Sequence, residues 1–138
     1  MSGDRNDAMY TATTRAIQVT VTPQYLPQQS DPGKSQYVWA YFVRIENKGD
    51  VAVQLKSRYW KITDGLGRVQ EVRGPGVVGK TPLLQPGEIF EYNSGTPLST
   101  PSGIMGGAYQ MVSEGGESFD IEIPTFSLDL PSPSRRLN

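Results

Sequence analysis

Apolar and polar residues alternate with a period of two along most of this chain. In the first such segment Ile17, Val19 and Val21 fall on one face, and glutamine and threonine residues fall on the other. A period of two is the pattern of a half-buried β-strand. Pro23 and Pro27 end this strand, because proline cannot donate to a ladder of backbone hydrogen bonds.

The same pattern predicts six further strands. They span residues 36–47, 51–63, 68–72, 89–93, 103–112 and 119–123. Residues 36–47 are rich in aromatic and β-branched side chains, which favours a central strand that is buried on both faces. The apolar face changes phase within residues 51–63, which predicts a β-bulge. We expect Phe90 and Tyr92 to point inward in the fifth strand.

Seven short strands separated by turn signals are typical of an all-β, antiparallel sandwich. Fifteen glycines and eleven prolines fit this fold class. We predict a folded domain at residues 12–130, a disordered N-terminal tail at residues 1–11 and a flexible C-terminal tail at residues 131–138. The N-terminus has no apolar secretory core and no apolar run could span a membrane, so we expect a cytoplasmic protein.

Composition narrows the chemistry that the chain can perform. It has no cysteine and no histidine, which excludes disulfides, thiolate or imidazole metal sites and histidine-assisted nucleophiles. The net charge is −1, although residues 44–80 hold eight basic residues against four acidic ones. We therefore predict no cofactor, no metal site and no nucleic-acid or membrane partner. Asp120 and Glu122 share a strand face, which we interpret as a solvated face.

One segment, Gly74-Pro75-Gly76-Val77-Val78-Gly79-Lys80-Thr81, matches two nucleotide-binding patterns. It fits both the P-loop and the dinucleotide fingerprint. Each motif requires a helix directly after it, yet Pro82 and Pro86 leave room for less than one turn. Each also belongs to a parallel α/β sheet. We conclude that neither nucleotide site is present.

The sequence leaves two interpretations of this loop. The glycines could shape a backbone nest that binds phosphate, with flanking cations; this candidate anion or ligand loop consists of Arg73, Gly74, Gly76, Gly79 and Lys80. Alternatively the glycines supply turn geometry only, while Val77 and Val78 plug the end of the sandwich.

Aromatic residues and one glycine-containing strand are the other candidates for binding. We expect the aromatic residues of the central strands to lie in the core; they are Tyr37, Trp39, Tyr41, Tyr59 and Trp60. The glycines of strand 103–112 would allow close approach of another backbone. If that strand lies at a sheet edge, it could accept a partner strand by β-augmentation.

Several ordered motifs resemble those of the ApaG family. Residues 58–68 read RYWKITDGLGR, residues 74–79 carry G-x-G-V-V-G, and residues 82–88 read PLLQPGE. Residues 96–111 resemble the family's T-P-x-G-x-M-x-G-x-Y-x-M segment with an inserted stretch, and residues 123–128 read IPTFSL. The resemblance runs over nearly the whole predicted domain.

This resemblance implies an immunoglobulin or fibronectin III-like sandwich from a bacterium, in a family linked to cobalt resistance and magnesium efflux. Related domains in larger proteins imply protein–protein interaction. We therefore expect a non-enzymatic interaction or adaptor domain, a monomer or weak homodimer with a protein partner of unknown identity. The alternative is weak phosphate or pyrophosphate binding at residues 74–80. A hydrolase that uses carboxylates alone ranks lowest, because no paired carboxylates stand out.

Overall fold

The computed structural model describes residues 8–130 and places nearly all of them in strands or short turns. The strands, in chain order, are β1 (Tyr10–Thr14), β2 (Ile17–Tyr25), β3 (Tyr37–Asn47), β4 (Val53–Asp64), β5 (Val69–Pro75), β6 (Leu83–Leu84), β7 (Ile89–Leu98), β8 (Ser102–Ser113) and β9 (Ser118–Asp129). Two 3-10 helices, Pro27–Gln29 and Pro32–Lys34, lie between β2 and β3.

The strands form two antiparallel sheets that pack face to face. One sheet has the order β1-β2-β3-β7, and the other has the order β5-β4-β8-β9 with β6 beside the start of β4. The predicted antiparallel β-sandwich is therefore confirmed, and each of the seven predicted strands is present.

Two strands, β1 and β6, were not predicted from the sequence. Strand β1 alternates threonine and alanine, so its apolar signal is weak, and β6 is only two residues long. Tyr10 and Thr11, which were assigned to the N-terminal tail, are the first residues of β1. The other tail residues, 1–7 and 131–138, lie outside the described part of the chain.

The core lies between the two sheets and is built from alternate residues. In β3 the side chains of Trp39, Tyr41, Val43 and Ile45 are buried, whereas Phe42 is 42% exposed. The prediction that this strand is buried on both faces is wrong. A two-layer sandwich has a single core, so even its central strands have a face in solvent.

A bulge in β4 decides which side chains of that strand face the core. The pairing of β4 with β8 shifts between Leu55 and Ser57, which confirms the predicted bulge. Beyond the shift, Trp60 and Ile62 are buried. Because side chains alternate along a strand, Arg58 points to the same inner face.

Candidate functional site

The glycine loop, which we define as residues 74–80, ends in a tight hairpin turn. The backbone amides of Val77 and Lys80 each donate to the other residue's carbonyl oxygen at 2.8 Å. Val78 and Gly79 have φ angles of 43° and 79°, both in the left-handed region that a type I′ turn requires. The chain then enters β6, with no helix after the loop.

Gly76 is required by the geometry of this turn. Its φ is 60°, and a Cβ added there would lie 2.3 Å from the carbonyl oxygen of Lys80. A contact that short cannot be relieved by a rotamer change, because the atom it meets belongs to the backbone. The glycine spacing that resembles a nucleotide motif therefore has a steric cause within this hairpin.

Arg58 holds the loop from the inner side of β4. Its Nη1 donates to the carbonyl oxygens of Pro75 at 2.9 Å and Gly76 at 2.8 Å. The guanidinium also lies against Gly74, where an added Cβ would be 3.0 Å from Nη2. Sequence reasoning missed this role, because the inward direction of Arg58 depends on the bulge. The only available signal was its place in the RYW motif.

The two cations of the predicted anion site lie in different surroundings. The guanidinium of Arg73 stacks 4.3 Å above the ring of Tyr59, whose hydroxyl hydrogen-bonds to Glu71 at 2.6 Å. Lys80 is exposed at the fourth position of the turn. Within residues 8–130 neither Arg73 nor Lys80 forms an ion pair with a carboxylate.

Several backbone amides of the glycine loop already donate hydrogen bonds to backbone carbonyls of the protein. The amide of Gly76 donates to the carbonyl oxygen of Lys56 at 2.8 Å. The amide of Val77 donates to the carbonyl oxygen of Lys80, and the amide of Lys80 donates to that of Val77. An anion nest needs amides that point together into empty space. Three of the loop's amides are thus used by backbone carbonyls, which leaves those of Val78 and Gly79 at the tip.

The two valines of the tip do not share one role. Val77 is 1% exposed and joins the core, as predicted. Val78 was predicted to plug the sandwich beside it but is 54% exposed. The left-handed backbone of Val78 turns its side chain outward, so the tip presents a branched apolar side chain to solvent.

Three core tyrosines lie behind Arg58. Tyr109, which pairs with Arg58 across β4 and β8, is fully buried and shares a 2.5 Å hydrogen bond with the hydroxyl of Tyr92. Tyr41 packs on Trp60 at 5.0 Å between ring centroids. Burial raises the pKa of Tyr41, Tyr92 and Tyr109 above the ordinary 10.0, while the nearby guanidinium of Arg58 opposes that rise in the pKa of each hydroxyl.

The predictions for the aromatic residues are correct in part. Trp39, Tyr41 and Trp60 are buried, as predicted, and Tyr37 is half-buried at the edge of the core. Tyr59 was predicted to be a core residue but lies on the outer face of β4, under Arg73. The phase change at the bulge places Tyr59 outside.

Strand β8, which was considered as a possible edge for β-augmentation, is not an edge strand. Strand β8, which contains the glycines of 103–112, pairs with β4 on one side and β9 on the other. A partner strand cannot add to a strand that is paired on both sides. Gly107 instead allows close contact of β8 with β4, since a Cβ there would lie 1.9 Å from the carbonyl oxygen of Tyr59.

The described residues hold neither a cluster of acidic side chains nor a long apolar helix. Within residues 8–130 no three acidic side chains cluster closely enough to hold a metal ion. Asp120 and Glu122 are exposed on β9. No helix in this part of the chain is both long and apolar enough to cross a bilayer.

Taken together, the fold and the clamped hairpin define an antiparallel β-sandwich protein with a hydrogen-bonded glycine loop. A family model described as the ApaG domain matches residues 27–113. Protein ApaG of Rhodospirillum centenum is 61% identical over 130 residues, which are 94% of this chain and all of that protein. Protein ApaG of Paramagnetospirillum magneticum is 62% identical over the same coverage. The chain belongs to the ApaG family.

Solved structures agree with this assignment. The crystal structure of a Bordetella pertussis protein described as ApaA is 57% identical and superimposes with a TM-score of 0.82, covering 83% of this chain and 94% of that one. A second X-ray structure, of a structural genomics target, is 42% identical with a TM-score of 0.80 and covers 87% and 91%. The sandwich is therefore shared with experimentally determined relatives.

Proposed function

We propose that this protein is a non-enzymatic interaction domain that docks to a protein partner through the tip of its glycine loop. The carrying observation is Val78, a β-branched residue with a φ of 43° and 54% of its surface exposed. A left-handed conformation costs an L-residue about 1–2 kcal/mol. Glycine or asparagine would form the same turn with less strain.

The strain at Val78 has no compensation in the core, because its side chain faces solvent. Backbone strain that folding does not need is characteristic of binding and switch sites. The clamp by Arg58 and the reciprocal hydrogen bonds of Val77 and Lys80 keep the tip in one conformation. A rigid apolar anchor loses little entropy on binding, which supports docking at this position.

We rank phosphate or pyrophosphate binding at the glycine loop below protein docking. The amides of Gly76, Val77 and Lys80 donate to carbonyls, and Arg73 stacks on Tyr59. An anion would find only the amides of Val78 and Gly79 and the Lys80 ammonium at the tip. We further propose that the protein acts in the cytoplasm, that its sandwich is of the immunoglobulin or fibronectin III-like kind, and that any link to cobalt or magnesium handling passes through its partner.

A capture experiment with matched variants tests the docking proposal. Val78 and Val69 are both 54% exposed, but Val69 lies in β5 and has no positive φ. We expect a bacterial lysate protein to be retained by the immobilised wild-type chain and by the Val69→Asp variant, and lost with Val78→Asp. Spectra that show all three chains folded are the control. If no retained protein distinguishes the two variants, the loop tip is not the docking site.

A further inference from the structure

The four edge strands of the sandwich differ in how closely they approach each other. Edge strands β1 and β9 are tied together, because the Glu122 amide donates to the Thr14 hydroxyl at 3.1 Å and the rings of Tyr10 and Phe126 lie 6.0 Å apart. The other two edges are β7 and β5. Arg58, on the strand next to β5, and Tyr92, on β7, are both half-buried. Tyr109 connects them, because it pairs with Arg58 across β4 and β8 and its hydroxyl hydrogen-bonds to that of Tyr92.

Arg58 carries a charge that the described residues leave unpaired. The ion pairs within residues 8–130 involve Arg15, Arg44 and Arg68, each with a carboxylate within 4.0 Å. The hydrogen bonds of Arg58 to described residues come from Nη1 alone and go to neutral carbonyls. A half-buried cation without an opposite charge is unfavourable, so its remaining Nε and Nη2 donors favour an incoming anion.

The tyrosine pair behind Arg58 supplies a second donor. Two hydroxyls that share one hydrogen bond use only one of their two hydrogens. Tyr109 is fully buried while Tyr92 is half-buried, so the hydrogen left over is available at the Tyr92 end. Either hydroxyl can be the donor by geometry, but a fully buried Tyr109 hydrogen cannot reach water, which favours Tyr109 as the donor to Tyr92.

We propose that Arg58 and the Tyr92 hydroxyl form a binding site for one carboxylate group of the protein partner, on the side of the sandwich between β7 and β5. The guanidinium fork matches a planar carboxylate through two parallel hydrogen bonds. One cation and one neutral hydroxyl balance a single negative charge, whereas a phosphate carries close to two at neutral pH. This inference rests on the proposed function and names the partner's chemistry beside the loop tip.

Titration of the isotope-labelled full chain with sodium acetate tests the site directly. With sodium chloride at equal ionic strength as the control, we expect saturable NMR shifts of the Arg58 Nε–H and the Gly76 amide. Arg58→Lys keeps the charge but loses the fork, and Tyr92→Phe keeps the ring but loses the hydroxyl. Each should weaken acetate binding by roughly 10-fold, while the amide signals outside the glycine loop and the mutated positions stay in place.

Two further arms identify the source of the carboxylate. One peptide carries an internal glutamate and an amidated C-terminus, and another has a free C-terminal carboxylate and no acidic side chain. Saturable binding of either peptide at Arg58 supports the proposal. The peptide that binds shows whether the partner presents a glutamate side chain or a C-terminal carboxylate. Inorganic phosphate that binds more tightly than acetate at Arg58 would overturn the assignment to a carboxylate.

The result can be separated from the docking proposal. Val69→Asp, the control variant of the docking experiment, should leave the acetate shifts unchanged, because Val69 pairs with Thr63 at the start of β5 whereas Arg58 pairs with Gly74 near its end. Linear, unsaturable shifts, or affinities unaltered by Arg58→Lys and Tyr92→Phe, would show that Arg58 is only a structural clamp. If capture from lysate depends on Val78 but the acetate titration gives that negative result, the docking proposal stands and the carboxylate site is refuted.

Discussion

At the scale of single residues, Asn47 shows how a buried polar side chain organises loops of distant sequence. It is fully buried, and its Nδ2 donates to the carbonyl oxygens of Val51 at 2.8 Å and Leu84 at 3.0 Å. Its Oδ1 accepts from the amide of Gly49 at 2.9 Å. Because every polar atom of the amide is satisfied, Asn47 fixes the start of β4 and the position of β6.

Asn47→Ala should lower the free energy of unfolding by about 3 kcal/mol, because it leaves buried backbone groups without partners. Asn93→Ala, at an exposed position of β7, is the matched control and should change it by less than about 0.5 kcal/mol. Urea titration of both variants measures the difference. Equal midpoints for the two variants would contradict the role assigned to Asn47.

The strain at Val78 predicts an increase in stability on substitution. Val78→Gly should raise the free energy of unfolding by about 0.5–1 kcal/mol, since relief of the left-handed strain exceeds the added entropy of unfolded glycine. Val69→Gly, at equal exposure in an extended strand, should lower it by about 0.5–1 kcal/mol. Thermal unfolding of both variants decides, and a loss of stability for Val78→Gly would show that the turn is not strained.

At the scale of elements, the close approach of β4 and β8 is set by glycine. Gly107 pairs with Trp60 at the point where the register of β8 and β9 shifts. A side chain at Gly107 would collide with the carbonyl of Tyr59, a backbone atom of the neighbouring strand. The two central strands of this sheet would have to move apart to relieve this clash, which would break backbone hydrogen bonds between them.

Gly107→Ala should therefore destabilise the domain by at least about 3 kcal/mol, or prevent folding altogether. Gly115→Ala is the matched control, since a Cβ at Gly115 meets no atom within 4 Å and its φ is not positive. Circular dichroism and denaturant unfolding compare the two variants. A folded Gly107→Ala chain with wild-type stability would mean that the strands tolerate a wider spacing.

At the scale of the whole molecule, the buried tyrosines set the response to alkali. The chain has no histidine to titrate near neutral pH. Burial raises the pKa of Tyr41, Tyr92 and Tyr109 in the folded state, while unfolded tyrosines titrate near 10.0. The stability linked to these groups is fully present below pH 10 and is lost as the pH rises from there through the folded pKa values.

We expect the free energy of unfolding to fall above pH 10 with a slope that approaches about 4 kcal/mol per pH unit for three retained protons. The Tyr92→Phe variant should show a shallower slope, whatever its stability at neutral pH. Denaturant unfolding at a series of alkaline pH values gives both slopes, and the phenolate absorbance of the three buried tyrosines, out of seven in the chain, should appear together with unfolding. A wild-type slope near zero between pH 10 and 11 would refute this linkage.

The sequence predicted the strands better than it predicted the site. The bulge within 51–63 was visible as a change of phase, but its consequence for Arg58 and Tyr59 was not. The spacing of the glycines was likewise visible, whereas the inner partner of Gly74 and Gly76 was not. Local periodicity reports which residues alternate, and it does not report which side chain from another strand lies opposite.

What the sequence determined by itself is the fold class, because strand alternation and turn residues are local properties that each segment carries. The absence of histidine and cysteine likewise settles which side-chain chemistries are excluded. Only the tertiary structure decided that Val78 is exposed and strained, that Arg58 clamps the loop, and that β8 is paired on both sides. These depend on register and on the packing of two sheets, which bring together residues far apart in the chain.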